Sequence, residues 1–215
     1  NLNGKAWTAI GSTAYAGTFD GSGYAVSGLV GSSGLFDSLG SEGVIRNVIV
    51  NGAISNGTNM GLLVNISAGT VENCFTAGSL SRTNSYGTSG GLIGRADKGS
   101  VIRNSGSSAT LSCSMKGLNA ELNMGGLIGN LYGTVENSYA TGSITVQAGS
   151  GYHAVGGFIG QTSGDSAVIT SCYAAGAVTG AAGGTFGAFL GDNKAAITGS
   201  YYREGAAADA VASGE

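Results

Sequence analysis

A chain of 215 residues with 42 glycines, no proline and a net charge of −3 is glycine-rich and almost uncharged. Glycine stands close to a fifth against an ordinary share of roughly 7%, and charged residues reach 10%, against roughly 25%. With 42% hydrophobic residues, this excludes a disordered chain. The lack of a Gly-x-y period excludes collagen, and a pI near 5.0 leaves no basic footprint for nucleic acid. No stretch reaches the roughly 18 uncharged apolar residues of a membrane span.

The chain opens on Asn1 with no charged-then-apolar leader after it, as expected of a mature or excised piece. Residues 1–30 read as a cap and partial first rung. They hold Trp7, Ile10-Gly11, Gly17-Thr18-Phe19-Asp20-Gly21 and Tyr24-Ala25-Val26-Ser27-Gly28-Leu29. The last of these aligns with Val44-Ile45-Arg46-Asn47-Val48, 19 residues on, and Trp7 is placed to close the end of a core.

Residues 31–202 repeat. One motif reads Gly34-Leu35-Phe36, Gly61-Leu62-Leu63, Gly91-Leu92-Ile93-Gly94, Gly126-Leu127-Ile128-Gly129, Gly157-Phe158-Ile159-Gly160 and Ala188-Phe189-Leu190-Gly191, with first residues 27, 30, 35, 31 and 31 apart. A second follows about ten residues later: Ile45-Arg46-Asn47, Val71-Glu72-Asn73, Ile102-Arg103-Asn104, Val135-Glu136-Asn137, Ile169-Thr170-Ser171 and Ile197-Thr198-Gly199. A third reads Ala53-Ile54-Ser55, Ser79-Leu80-Ser81, Thr110-Leu111-Ser112, Ser143-Ile144-Thr145 and Ala177-Val178-Thr179. These runs are too short for helices and are punctuated by glycine, so each reads as a strand. A three-strand unit cannot bury its apolar residues alone. Stacking such units gives parallel sheets around one continuous core. The expected fold is all-β: a β-solenoid, specifically a right-handed parallel β-helix with three short strands per rung and six to seven rungs. Residues 203–215 lose the pattern and read as a tail or linker.

The lead-in through Phe19-Asp20-Gly21, the Gly-Gly-Leu-Ile-Gly runs at 90–94 and 125–129, and Asn137-Ser138-Tyr139-Ala140-Thr141-Gly142 resemble a GLUG-repeat region. Gly61-Leu62-Leu63-Val64 lacks the final glycine of that motif, Ala188 replaces its second, and Gly106 interrupts an aromatic position. The resemblance implies a bacterial, exported context: adhesin-like surface proteins, or the non-catalytic part of immunoglobulin A1-cleaving metallopeptidases. It implies no single activity.

A zinc peptidase site needs a His-Glu-x-x-His helix, and the chain has one histidine, His153, which reads as a polar residue beside a turn. Glycoside cleavage needs paired carboxylates. Asp165 and Asp192 fall in corresponding turns of consecutive units and are the best pair, yet they read more readily as solvated turn residues, as do Asp37, Glu42 and Asp97. Asp20 stands alone as a calcium ligand. No catalytic, cofactor or metal residue is assigned, and the expectation is a chain without enzymatic activity or cofactor. The longest departure from the repeat, Ser114 to Asn123, is the place where a ligand would sit.

Four columns carry expectations. Ser79, Ser81, Thr110, Ser112, Ser143, Thr145 and Thr179 form an outward hydroxyl ladder, similar to the ice-binding faces of some β-solenoids but read as a soluble strand face. Phe75, Tyr139, Tyr173 and Tyr201, with Ile49 and Gly106 in the same position, read as core; outward, they would make a sugar- or peptide-binding stripe. Arg46, Glu72, Arg103 and Glu136 alternate in sign on one outer face. Cys74 and Cys172 share a column three rungs apart, roughly 14 Å, too far for a disulfide, and Cys113 lies on another strand. The function read from the sequence is a non-catalytic structural or adhesion segment of a larger secreted or cell-surface protein. Its partners are neighbouring domains of the same polypeptide. The alternatives are a glycan- or host-protein-binding module and, third, a polysaccharide-cleaving β-helix enzyme.

Overall fold

The computed structural model describes residues 1–5, 7–84, 86–114, 120–147, 151–164, 166–180 and 184–211. The strands stack in parallel into three sheets, forming a β-solenoid of about five full turns with no helix among the described residues.

The seven-stranded sheet holds one short strand per passage of the chain: Thr18–Asp20, Val44–Arg46, Thr70–Glu72, Val101–Arg103, Thr134–Glu136, Val168–Thr170 and Ala196–Thr198. Their central residues Ile45, Val71, Ile102, Val135 and Ile169 are fully buried one above the other. The partner of Val44–Arg46 in the first rung is therefore Thr18–Asp20, while Ala25 onward pairs with Ile49 onward. The alignment read from the sequence was wrong because Phe19 takes the place of the aliphatic residue that marks the motif elsewhere. Trp7 donates its ring N–H to Leu35 O at 3.0 Å and packs against the core. Asp209–Val211, in the stretch read as a tail, pairs with Thr185–Asp192.

A left-handed corner directly follows six of these seven strands. Asn47, Asn73, Asn104, Asn137 and Ser171 have φ between 48 and 55°, and Gly199 has φ 58°. Asparagine tolerates this conformation better than most residues. The corner interrupts the in–out alternation, so the residue after it points inward: Val48, Cys74, Ser105, Ser138 and Cys172 are all buried. The next position points outward. That inversion overturns the expectation that the aromatic column is core: Tyr173 is 45% and Tyr201 72% exposed, Ile49 39%, and Phe75 and Tyr139 are half-buried.

Full turns also contain a strand that the three-strand repeat did not include. Asn59–Gly61, Tyr86–Gly90, Ala120–Gly125 and Gly151–Gly156 stack as a leading arm of the eleven-stranded sheet. Phe36–Leu39, Val64–Ser67, Ile93–Ala96, Ile128–Leu131 and Ile159–Thr162 stack as its trailing arm, and Thr185–Asp192 runs through both. Sequences such as Tyr86-Gly-Thr-Ser-Gly have no aliphatic run to announce them.

The two arms meet face to face at the glycines of the repeat. A Cβ on Gly94 would stand 2.8 Å from Met60 N, on Gly129 2.7 Å from Ser89 N, on Gly160 2.6 Å from Met124 N and on Gly191 2.3 Å from Val155 N. Each of those atoms belongs to the leading arm one turn below. Gly61, Gly90, Gly125 and Gly156 approach the trailing-arm glycines reciprocally. Register also shows that Gly61 aligns with Gly90, not Gly91, so the repeat read from the sequence slips by one residue there. Asn65 occupies the seat of Gly94, and Asp37 occupies it one turn lower. The buried Asn65 carboxamide accepts from Gly34 N (3.0 Å) and Gly61 N (3.5 Å), and donates to Ser33 Oγ and Asp37 Oδ1.

Gly129→Ala places a methyl against backbone rather than a movable side chain. We expect a loss of about 3 kcal/mol, read as a lower urea midpoint, while Ser112→Ala on the exposed strand face stays within about 0.5 kcal/mol of the parent.

Candidate functional site

The charge column forms as its spacing predicts and has one more member. Asp20, Arg46, Glu72, Arg103 and Glu136 are successive register partners on the seven-stranded sheet. Asp20 heads the column, having been read as a lone residue. Its carboxylate accepts from Ser22 N (2.8 Å), Asn47 Nδ2 (3.1 Å) and Arg46 Nε (3.0 Å). Arg103 pairs with Glu72 at 3.1 Å. The Ser22 amide first, then the Asn47 carboxamide and the Arg46 guanidinium, hold the Asp20 carboxyl below the usual 3.8. The pairs are half-exposed, so their main effect is on register rather than stability.

Cys74, Cys113 and Cys172 are free and buried. Cys74 and Cys172 share the inward column with Ser105, Ser138 and Ser200. The serine hydroxyls donate to the carbonyl two residues back and accept the amide of the rung below, as Ser105 Oγ does with Arg103 O (2.8 Å) and Cys74 N (3.1 Å). Cys74 Sγ and Cys172 Sγ reach the equivalent carbonyls, Glu72 O and Thr170 O, both at 3.2 Å. Burial pushes these thiols up to about 12 and about 11. They act as packing residues, not nucleophiles.

The other sequence candidates separate. Asp165 lies outside the described residues, and Asp192 is in register with Gln161. Asp192 ends the strand Thr185–Asp192. His153 lies buried on the strand Gly151–Gly156, in register with Leu122. Of the Ser114–Asn123 departure, residues 115–119 lie outside the described residues, and Ala120–Gly125 is a strand of the leading arm. The hydroxyl ladder faces outward as expected, with Ser81, Ser112, Thr145 and Thr179 exposed and in register. In the aromatic column, Tyr139 stacks on Tyr173 at 5.3 Å and 11°, and its ring covers Gly106.

Two features escaped the sequence reading. Arg82 is buried, its guanidinium donating to the carbonyls of Gly57, Thr58, Tyr86 and Thr88. Burial lowers it to about 10, and it ties the third-sheet strand to the leading arm. The second feature is the seam between the arms, which opens outward into two hollows. One, of about 380 Å³, is lined by Ser33, Asp37, Asn59 and Asn65. The other, of about 370 Å³, is lined by Tyr86, Thr88, Asn123, Tyr152 and Gln161. Tyr152 donates to Asp192 Oδ2 at 2.6 Å. Gln161 Nε2 donates to Asp192 Oδ2 at 3.0 Å and to Tyr152 Oη at 3.2 Å, while its Oε1 accepts from Asn123 Nδ2 at 3.1 Å. Burial, followed by the hydrogen bond to Asp192 and that residue's charge, pushes the Tyr152 phenol up to about 12. No signal marked this site, because Tyr152 and Asp192 are 40 residues apart.

A parallel β-solenoid whose glycines zip two arms of one sheet is the structural form of the repeat seen in the sequence. The family described as the GLUG motif matches residues 120–145 and 151–179, so this part of the chain carries GLUG repeats. Over 97 residues it is 37% identical to halomucin of Haloquadratum walsbyi, a match that covers 42% of this chain and 1% of that protein. Among solved structures it is similar to an IgA1 protease, with a TM-score of 0.67 and 24% identity over 90% of this chain, a similarity in fold. The chain spans 17% of that protease chain.

Two outcomes follow from this chemistry. The Asp20 carboxyl, depressed in the folded state, contributes stability above the ordinary Asp range that is lost as pH falls through its folded value. A carbon-13 titration should give a midpoint below 3.8, and Asp20→Asn should flatten the acid limb of the stability curve slightly. Alkylation near pH 8, followed by mass spectrometry, should leave all three thiols unmodified in the native chain and label all three in denaturant.

Proposed function

We propose that this chain is a non-catalytic structural segment of a larger exported protein, a rigid spacer that holds neighbouring domains of the same polypeptide apart and contributes to adhesion. The observation that carries this reading is the single register that runs through all seven strands of one sheet. Six steps of strand spacing give a rise of about 29 Å. A continuous core lies beneath it, and the outward columns are neutral or internally paired. The GLUG repeats at 120–145 and 151–179 and the likeness to halomucin support the exported location in this reading.

A second reading, a module that binds a glycan or a host protein, draws on the outward aromatic column. Rings at Phe75, Tyr139 and Tyr173 lie 5.3 to 6.1 Å apart along the solenoid, with Tyr201 beyond them.

Placing the chain between two fluorescent domains tests the first reading. A spacer gives a narrow, salt-independent distance distribution by energy transfer, whereas a broad distribution like that of a flexible linker contradicts it. Turnover of a polysaccharide or peptide by the purified chain, abolished by Asp192→Asn, would overturn the non-catalytic part. Binding lost in Tyr139→Ala/Tyr173→Ala would promote the second reading.

A further inference from the structure

The seam between the two arms is more than a packing device. On its outer side it carries side chains that the solenoid does not need. Asn59, Thr88 and Asn123 are successive register partners on the leading arm. On the trailing arm, Arg95, Asn130, Gln161 and Asp192 succeed one another. From the strand holding Asp37 to Asp192 the trailing arm makes five steps, about 24 Å. The seam thus forms a groove line parallel to the solenoid axis, with the two hollows set along it.

We infer that this groove binds an extended neutral polysaccharide, laid along the axis, with Tyr86 and Tyr152 as stacking platforms and Asn123, Gln161 and Asp192 as hydroxyl partners. Tyr86 and Tyr152 are 62% and 46% exposed. Both are in register with position 121, one on either side, so they stand two strand spacings apart, about 9.6 Å. That is the span of a disaccharide unit in an extended chain, and the C–H face of a pyranose ring packs well on a phenol. The bond from Tyr152 to Asp192 holds one ring in place. Carboxamides and carboxylates are the groups that pair with vicinal hydroxyls, offering donors and acceptors side by side.

Other occupants fit less well. A peptide bound by strand addition needs an open backbone edge, and the strands that carry Tyr86, Asn123, Tyr152 and Gln161 are paired on both sides. A polyanion would meet Asp37 and Asp192, and the guanidinium of Arg95 is held by Asp97 at 2.7 Å.

The test is calorimetric titration of the whole chain with cellohexaose, xylohexaose, mannohexaose and chitohexaose, beside heparin and a random decapeptide pool. We expect at least one neutral hexasaccharide to bind. Tyr86→Ala, Tyr152→Ala and Asn123→Ala should each weaken it about tenfold or more with unchanged circular dichroism. Tyr139→Ala/Tyr173→Ala, on another sheet, should leave the affinity within twofold. Failure of all four hexasaccharides at millimolar concentration would overturn the inference. Binding only to heparin or peptide, or loss in the Tyr139/Tyr173 variant with the seam variants unaffected, would overturn it equally. The spacer reading stands or falls separately, on the distance distribution.

Discussion

Everything in this molecule rests on backbone meeting backbone at the seam. Gly94, Gly129, Gly160 and Gly191 press the trailing arm onto the leading arm of the turn below at distances no Cβ would allow. A solenoid without that fold-back would have three simple faces and a wider cross-section. With it, each turn gains a fourth strand and the eleven-stranded sheet folds sharply at the repeat motif. The glycines act here through space, not through left-handed backbone angles; that work falls to Asn47, Asn73, Asn104 and Asn137 at the corner of the seven-stranded sheet.

Once the arms are zipped and the corners set, the remaining chemistry is a matter of columns. Inward columns stack Ile45 on Val71 on Ile102, or alternate Cys74 and Cys172 with Ser105 and Ser138, which serve the same carbonyls with a softer or harder donor. Outward columns stack charge, hydroxyl or ring. Because strand spacing is close to ring-stacking distance, the Tyr139–Tyr173 pair forms with little adjustment. The same periodicity spaces Tyr86 and Tyr152 along the seam. Two of the solenoid's faces therefore present exposed aromatic rings.

Much of this architecture was legible because parallel stacking turns sequence periodicity directly into spatial columns. The triplets around Val71, Ile102 and Val135 announced one sheet, and the alternation of Arg46, Glu72, Arg103 and Glu136 was itself a statement of register. What escaped had physical causes. Tyr86–Gly90 is a strand that buries its face with Ser89, Gly90 and Thr88, with no aliphatic signature. The aromatic column was read as core because a single left-handed residue inverts in–out parity, and no pattern of hydrophobicity records φ. Asp20 was missed as the head of the charge column because Phe19 does the work of an isoleucine. The slip at Gly61 arose because Asn65 replaces the glycine and repairs the seam with hydrogen bonds. The groove was invisible because its members come from different turns.

The central claim, that one register runs through the chain so that like positions lie one strand apart, is tested most directly by engineered cross-links on the hydroxyl face. Ser112 and Thr145 are register partners, and Thr179 lies one further on. Neighbouring strands at about 4.8 Å are within disulfide reach, whereas two spacings, about 9.6 Å, are not. The account predicts that Ser112→Cys/Thr145→Cys oxidises readily to a bonded form and that Ser112→Cys/Thr179→Cys does not. A bond in the second variant, or none in the first, would contradict it.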